Sequence, residues 1–416
     1  MSKSYTNPAF TALGIKQFKL PSRNWLIFWS VLTTLSGGII YDKWKQRQLR
    51  DDYMKKFSTD NKPFDTLLLP RKLRIYVSPP PNDYLDESLK YFRRFVKPII
   101  NSAGLDFELI TLEKQGDVRF KVAEEIRELR RNILNNEKIQ VNENSTFEEQ
   151  NSIDNQSIKK VSELYKPMDV LGVEKLFGNF QDRVDHVKSE DSLVSDVRNA
   201  GGIICIGRGA FKEYINGVHE GLLGPIDPPP KVETITEKEK EGEEEEEEEE
   251  KLNKYAPDPY ILSKDYDKLI PAKEFGLDTL NWENESEVNE KLQSLRDPQT
   301  GLPYFFTQPI LELRNYNVAG FTKQLERIWR FYNKRYQLIE YNERLIDVIE
   351  NNWCSFTIDK LNVGIEEEND WPSSWLETAK KNNSEWVRDF NGDKRIIKLL
   401  SSYNCDCNND KGKGKN

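Results

Sequence analysis

Seventeen consecutive residues without a charge, Trp25 to Tyr41 (WLIFWSVLTTLSGGIIY), constrain this chain most. As a helix they would span ~25 Å, slightly short of a ~30 Å hydrocarbon layer. Arg23 and Lys43 flank the run, and Trp25, Trp29 and Tyr41 stand at or near its ends, where amphipathic rings prefer a membrane interface. The expectation is one transmembrane anchor over residues 24–43. Thr33 and Gly37, and Thr34 and Gly38, are small residues spaced four apart, a spacing that lets another helix approach closely. Lysine and arginine are equally numerous on the two sides, four in 1–23 and four in 42–50, so charge alone leaves the orientation open.

Charge divides the chain further. Residues 1–50 carry +7 and the remainder −16, within a net charge of −9 over 416 residues. So acidic a body lacks the basic footprint of a general nucleic-acid binder. Four cysteines (Cys205, Cys354, Cys405, Cys407) are too few and too irregular for a disulfide scaffold or a zinc site. Two histidines, His186 and His219, exclude a histidine metal cluster, so no metal and no cofactor are expected.

After a connector over 44–70, an α/β domain is expected over 71–225. Leu73–Val77 (LRIYV), Phe107–Leu112 (FELITL) and Gly202–Gly207 (GIICIG) are short apolar runs suited to strands buried on both faces. Between them, Leu85, Leu89, Phe92, Val96 and Ile99, then Val118, Val122, Ile126, Leu129 and Ile133, step by three and four as helical stripes. This order predicts a parallel, helix-covered sheet. An Asn-, Glu- and Ser-rich stretch near 135–159 reads as a disordered insertion. Residues 226–259, with 14 acids and five lysines, read as an acidic disordered linker. The C-terminal part, 260–403, is rich in aromatic residues and contains a long amphipathic helix near 321–350. That helix carries Lys323, Arg327, Arg330, Lys334 and Arg335 as a face for anionic lipid, cardiolipin among them. The tail, 404–416, is too polar to fold.

The stretch from Tyr5 to Gln48 contains a TNPA element, then LPSRNW, the apolar run and YDKW-KQRQ, in that order. It resembles the start of the fungal family of mitochondrial inner-membrane translocase subunit fifty-four, the large single-span subunit of the carrier translocase. The resemblance implies a basic N-terminal segment (1–23) in the matrix and the bulk of the chain in the intermembrane space. It further implies a non-enzymatic role: scaffolding the channel subunit and docking small chaperone complexes that deliver multi-span carrier precursors.

A second resemblance lies in the soluble part. Phe95 to Leu129 and Gly202 to Leu222 (GIICIGRGAFKEYINGVHEGL) are similar to the diacylglycerol-type lipid kinases, whose glycine loop brings backbone N–H groups to phosphate. The corresponding loop here is Ile206, Gly207, Arg208, Gly209 and Ala210, with Glu213 in the following helix. Arg208 stands where the kinases have a loop Asp, which reverses the local charge and removes a metal-binding group. The expectation is a degenerate, non-catalytic loop and no enzyme activity; a membrane-tethered lipid kinase or lipid-binding module is the alternative.

Overall fold

In a computed structural model of the chain, the structure describes residues 4–5, 18–19, 22–59, 71–149, 196–228, 256–297, 301–318, 320 and 323–403. The acidic linker, save its ends, most of the N-terminal segment, the second part of the 135–159 stretch, His186 and the tail lie outside these residues.

In chain order the strands are β1 (Ser4–Tyr5), β2 (Phe18–Lys19), β3 (Lys72–Val77), β4 (Asp106–Thr111), β5 (Gly201–Ile206), β6 (Ile310–Leu313), β7 (Cys354–Ser355) and β8 (Ser401–Ser402). The α-helices are α1 (Arg23–Thr59), α2 (Leu85–Tyr91), α3 (Lys97–Ser102), α4 (Asp117–Glu149), α5 (Arg208–Leu223), α6 (Glu285–Ser294), α7 (Gln324–Tyr332), α8 (Lys334–Glu350), α9 (Ile365–Glu368), α10 (Ser373–Lys381) and α11 (Lys394–Leu399). A π-helical turn, Phe92–Val96, joins α2 to α3. α4 runs through the first part of the Asn- and Glu-rich stretch, to Glu149.

Six strands form one sheet in the order β4-β3-β5-β6-β8-β7. β3, β4, β5, β6 and β8 are parallel, whereas β7 pairs antiparallel with β8. The sheet is therefore mixed, a correction to the expected parallel one. Side chains alternate across it. Leu73, Ile75, Val77, Ile204, Ile206, Leu311 and Leu313 face one layer, built by α2, α3, α8 and the second half of α1. Tyr76, Ile203, Cys205 and Ile310 face the other, built by α4 and α5. β5 is buried at all six positions, as a central strand covered on both faces must be.

α4 and α5 lie very close because α5 presents Gly217 and Gly221, one turn apart. A Cβ at Gly217 would stand 2.8 Å from the Arg119 carbonyl oxygen, and one at Gly221 2.7 Å from Ile126 Cβ. The fully buried Arg119 reinforces the contact, with Nη1 2.6 Å from Glu220 and Nε 2.6 Å from Glu385.

No helix among the described residues is long and apolar enough to cross a membrane, which overturns the expected transmembrane anchor and its single-pass topology. The run from Trp25 to Tyr41 is diluted by Ser30, Thr33, Thr34, Ser36, Gly37 and Gly38. α1 then continues unbroken into charged sequence. From Asp42 onward it belongs to the body of the protein: Asp42 is buried beside Gln46 and Arg335, and Leu49, Tyr53 and Phe57 join the core.

Candidate functional site

Sheets of this winding have a natural ligand crevice where strand order reverses, outside the carboxyl ends of the strands. Here that point lies between β3 and β5, at Ser78 and Gly207. Gly207 precedes α5 with φ +95° and ψ 145°, and a Cβ there would meet Asn315 Nδ2 at 2.6 Å. Only glycine suits both the backbone angle and the space. A helix of 16 residues beginning at such a turn offers its first N–H groups to an acceptor.

The acceptor is part of the chain. Glu367, on α9, receives the Arg208 N–H at 3.0 Å and the Asn315 N–H at 2.8 Å, both on Oε2. Burial, with Glu312 close by, pushes its pKa up to about 8. Arg208 is itself buried. Its Nε donates to Glu368 at 3.0 Å and its Nη1 to the carbonyls of Leu361 and Val363, both at 2.6 Å. Gly209 lies under the Trp386 ring, 2.4 Å from where a Cβ would be, and Ala210 is buried. Ile206 ends β5 in the core.

One turn along α5, Lys212 bridges Glu368 and the Trp386 carbonyl, each at 2.7 Å, and burial lowers its pKa. Glu213 accepts the N–H of Gly116 at 2.7 Å and of Val118 at 3.1 Å, capping α4, and also the Trp386 indole N–H. Burial and then Glu385 raise its pKa to about 8. His219 is held in the neutral form by burial, Nδ1 against the Ile215 carbonyl and Nε2 accepting the Asp393 N–H. Arg208, Lys212 and the Trp386 indole thus each have an acceptor within the chain, and the C-terminal Trp371, Trp375 and Trp386 pack together over the crevice, ring centroids 5.3–5.9 Å apart.

The remaining candidates fall on α1, α7 and α8. Trp25, Trp29, Thr33, Gly37 and Tyr41 are exposed; Thr33 returns its hydroxyl to the Trp29 carbonyl at 2.8 Å. Gly37 has nothing near it, whereas Gly38 receives the Tyr332 ring, 3.1 Å from the site of a Cβ. The helical stretch near 321–350 is two helices, broken at Asn333 (φ −128°, ψ 34°). Arg330 and Lys323 turn inward to Asp370, at 2.8 and 3.6 Å, and Arg335 reaches Asp42 at 3.5 Å. Arg327 remains exposed and Lys334 half-buried. Cys354 is disulfide-bonded, a link that the cysteine count does not announce; Cys205 is free and buried, and Cys405 and Cys407 lie outside the described residues. The sequence reading also misses Glu367 as the occupant of the crevice. A buried glutamate in a short acidic helix gives no signal of that role.

Comparison with known proteins adds the family. The profile described as "Inner membrane protein import complex subunit Tim54" matches residues 7–245 and 231–403. The Candida albicans protein named mitochondrial import inner membrane translocase subunit TIM54 is 42% identical over 96% of this chain and 97% of its own length. The Saccharomyces cerevisiae protein of the same name is 35% identical, over 96% and 94%. The Yarrowia lipolytica one is 26% identical, over 96% and 94%. With its profile matched from residue 7 to residue 403, the chain belongs to the Tim54 family of inner membrane protein import complex subunits.

Proposed function

We propose that the chain is a non-enzymatic subunit of a mitochondrial inner-membrane protein import complex, in which its α/β body faces the intermembrane space as a scaffold. It would hold the channel subunit of the carrier translocase and dock the small chaperone complexes that bring carrier precursors. The names of its relatives support the import role. Glu367 on the first N–H of α5 and on the Asn315 N–H after β6 supports the absence of catalysis, because a side chain of the protein sits where a phosphate would approach the start of the helix. On this reading the glycine loop is a packing device and the kinase-like order a scaffold.

Affinity purification of the tagged protein from mildly solubilised mitochondria tests the proposal. A multi-span channel subunit and small chaperones should be recovered in fixed ratio. Recovery of the chain alone would overturn the scaffold reading, and phosphate transfer from Mg-ATP by the purified chain would overturn the non-enzymatic one. Gly37→Leu sharpens the measurement. Nothing surrounds Gly37, so the variant should fold normally yet lose channel subunit if Thr33 and Gly37 form a helix-docking face.

A further inference from the structure

α7 is inside out for a surface helix. Helical spacing gathers Leu325, Ile328, Trp329 and Tyr332 on one side, and the other carries Lys323, Glu326 and Arg330. In a surface helix the apolar side ordinarily packs inward. Here the polar side faces the protein, through Arg330 and Lys323 to Asp370, with Lys323 also donating to the Asn369 carbonyl. No residue of α7 is buried. Leu325 is 83% exposed, Trp329 59% and Ile328 53%.

The patch continues across the contact with α1, where Tyr332 meets Gly38, and onto Ile40, Tyr41 and Trp44, all exposed. Tyr336 extends it, stacked on Trp329 with ring centroids 6.1 Å apart. Its edges are cationic. Lys43, Arg47 and Lys334 form no ion pair among the described residues, and Lys334 lies over the Phe331 ring at 5.5 Å. Aliphatic side chains at the centre, tryptophan and tyrosine around them and unpaired cations at the rim are the composition of a surface that settles into the headgroup layer of an anionic bilayer. Glu326, the acid of α7, is paired with Arg330 and so adds no free negative charge to that rim.

We propose that α7, with the Ile40–Trp44 turn of α1, is an in-plane membrane-binding surface that lies on an anionic lipid leaflet. It inserts Leu325, Ile328 and Trp329 among the acyl chains and sets Lys334, Lys43 and Arg47 against phosphate headgroups. The inference rests on the proposed inner-membrane location but not on translocase membership.

Hydrogen exchange of the purified full chain tests it, on vesicles of phosphatidylcholine alone and of phosphatidylcholine with about one-fifth phosphatidylglycerol. The amides of 324–332 should slow several-fold on the anionic vesicles and far less on the neutral ones. Leu325→Asp with Ile328→Asp should weaken vesicle binding about tenfold or more and abolish that slowing. Both residues are exposed, so the near-ultraviolet spectrum should be unchanged. Unaltered exchange in 324–332 while the chain floats with the vesicles would overturn the proposal. So would slowing that requires other import subunits, which would make the occupant a protein. Co-purification with the channel is measured separately, so failure on vesicles leaves the translocase reading standing.

Discussion

Glu367 illustrates how one side chain can close a site. Its Oε2 takes two backbone N–H groups, leaving Oε1 to carry a proton, and burial next to Glu312 favours that neutral form. With the folded pKa near 8 and the unfolded one near that of a free carboxyl, the native state binds more protons than the unfolded state between the two. The stability contributed is full below ~4.5 and lost as pH rises through ~8. Urea unfolding at pH 6 and 8.5 should therefore show the wild type losing about 2 kcal/mol more than Glu367→Gln over that interval. The variant keeps the acceptor but cannot ionise. Comparing the two cancels the opposite contribution of His219, whose lowered pKa favours the higher pH. Equal losses would mean that Glu367 is already ionised in the fold. At this scale the sequence is half legible. Gly207 and Gly209 advertise a close approach, but Asn315, Glu367 and Trp386, which make the approach, lie more than 100 residues away. Arg208, which stands where the kinases have a loop Asp, faces carbonyl oxygens and Glu368.

Elements succeed or fail in the sequence according to how regular their burial is. LRIYV, FELITL and GIICIG are uninterrupted apolar runs, and β3, β4 and β5 lie on them. β6 escapes notice because its four residues include Glu312, a buried carboxylate 2.9 Å from Arg344. In α8 the core is made by Leu338, Tyr341, Leu345 and Val348, whereas the stripe of isoleucines at 339, 346 and 349 lies beside it. Two apolar faces compete in that sequence, and periodicity does not choose between them. Glycines inside α5 look like helix breakers, yet they set the spacing of the α4–α5 pair. Gly217→Ala would gain helix propensity of ~1 kcal/mol but place a methyl against the Arg119 carbonyl, which cannot yield as a side chain can. A net loss of about 1–3 kcal/mol is expected in urea unfolding. An increase in stability would show that the helices separate freely.

At the scale of the molecule, the sheet joins what the linear sequence divides. β3, β4 and β5 precede the acidic linker; β6, β7 and β8 follow it and complete the same sheet. Ile203, Ile204, Cys205 and Ile206 pair in register with Ile310, Leu311, Glu312 and Leu313, and all eight are buried. Each large aliphatic side chain among them contributes ~1.5–3 kcal/mol when sequestered from water. Arg119 on α4 adds a second tie to the later part of the chain through Glu385, and Trp386 a third over Gly209. A protease site placed at Gly242 should therefore be cut without separating the two fragments. They should co-elute as one particle in size-exclusion chromatography and part only when urea unfolds both. Either half expressed alone should aggregate, because β5 or β6 would present a bare apolar edge. Separation of the cut fragments in native buffer would mean that the halves fold independently and that the shared sheet contributes little to their cohesion.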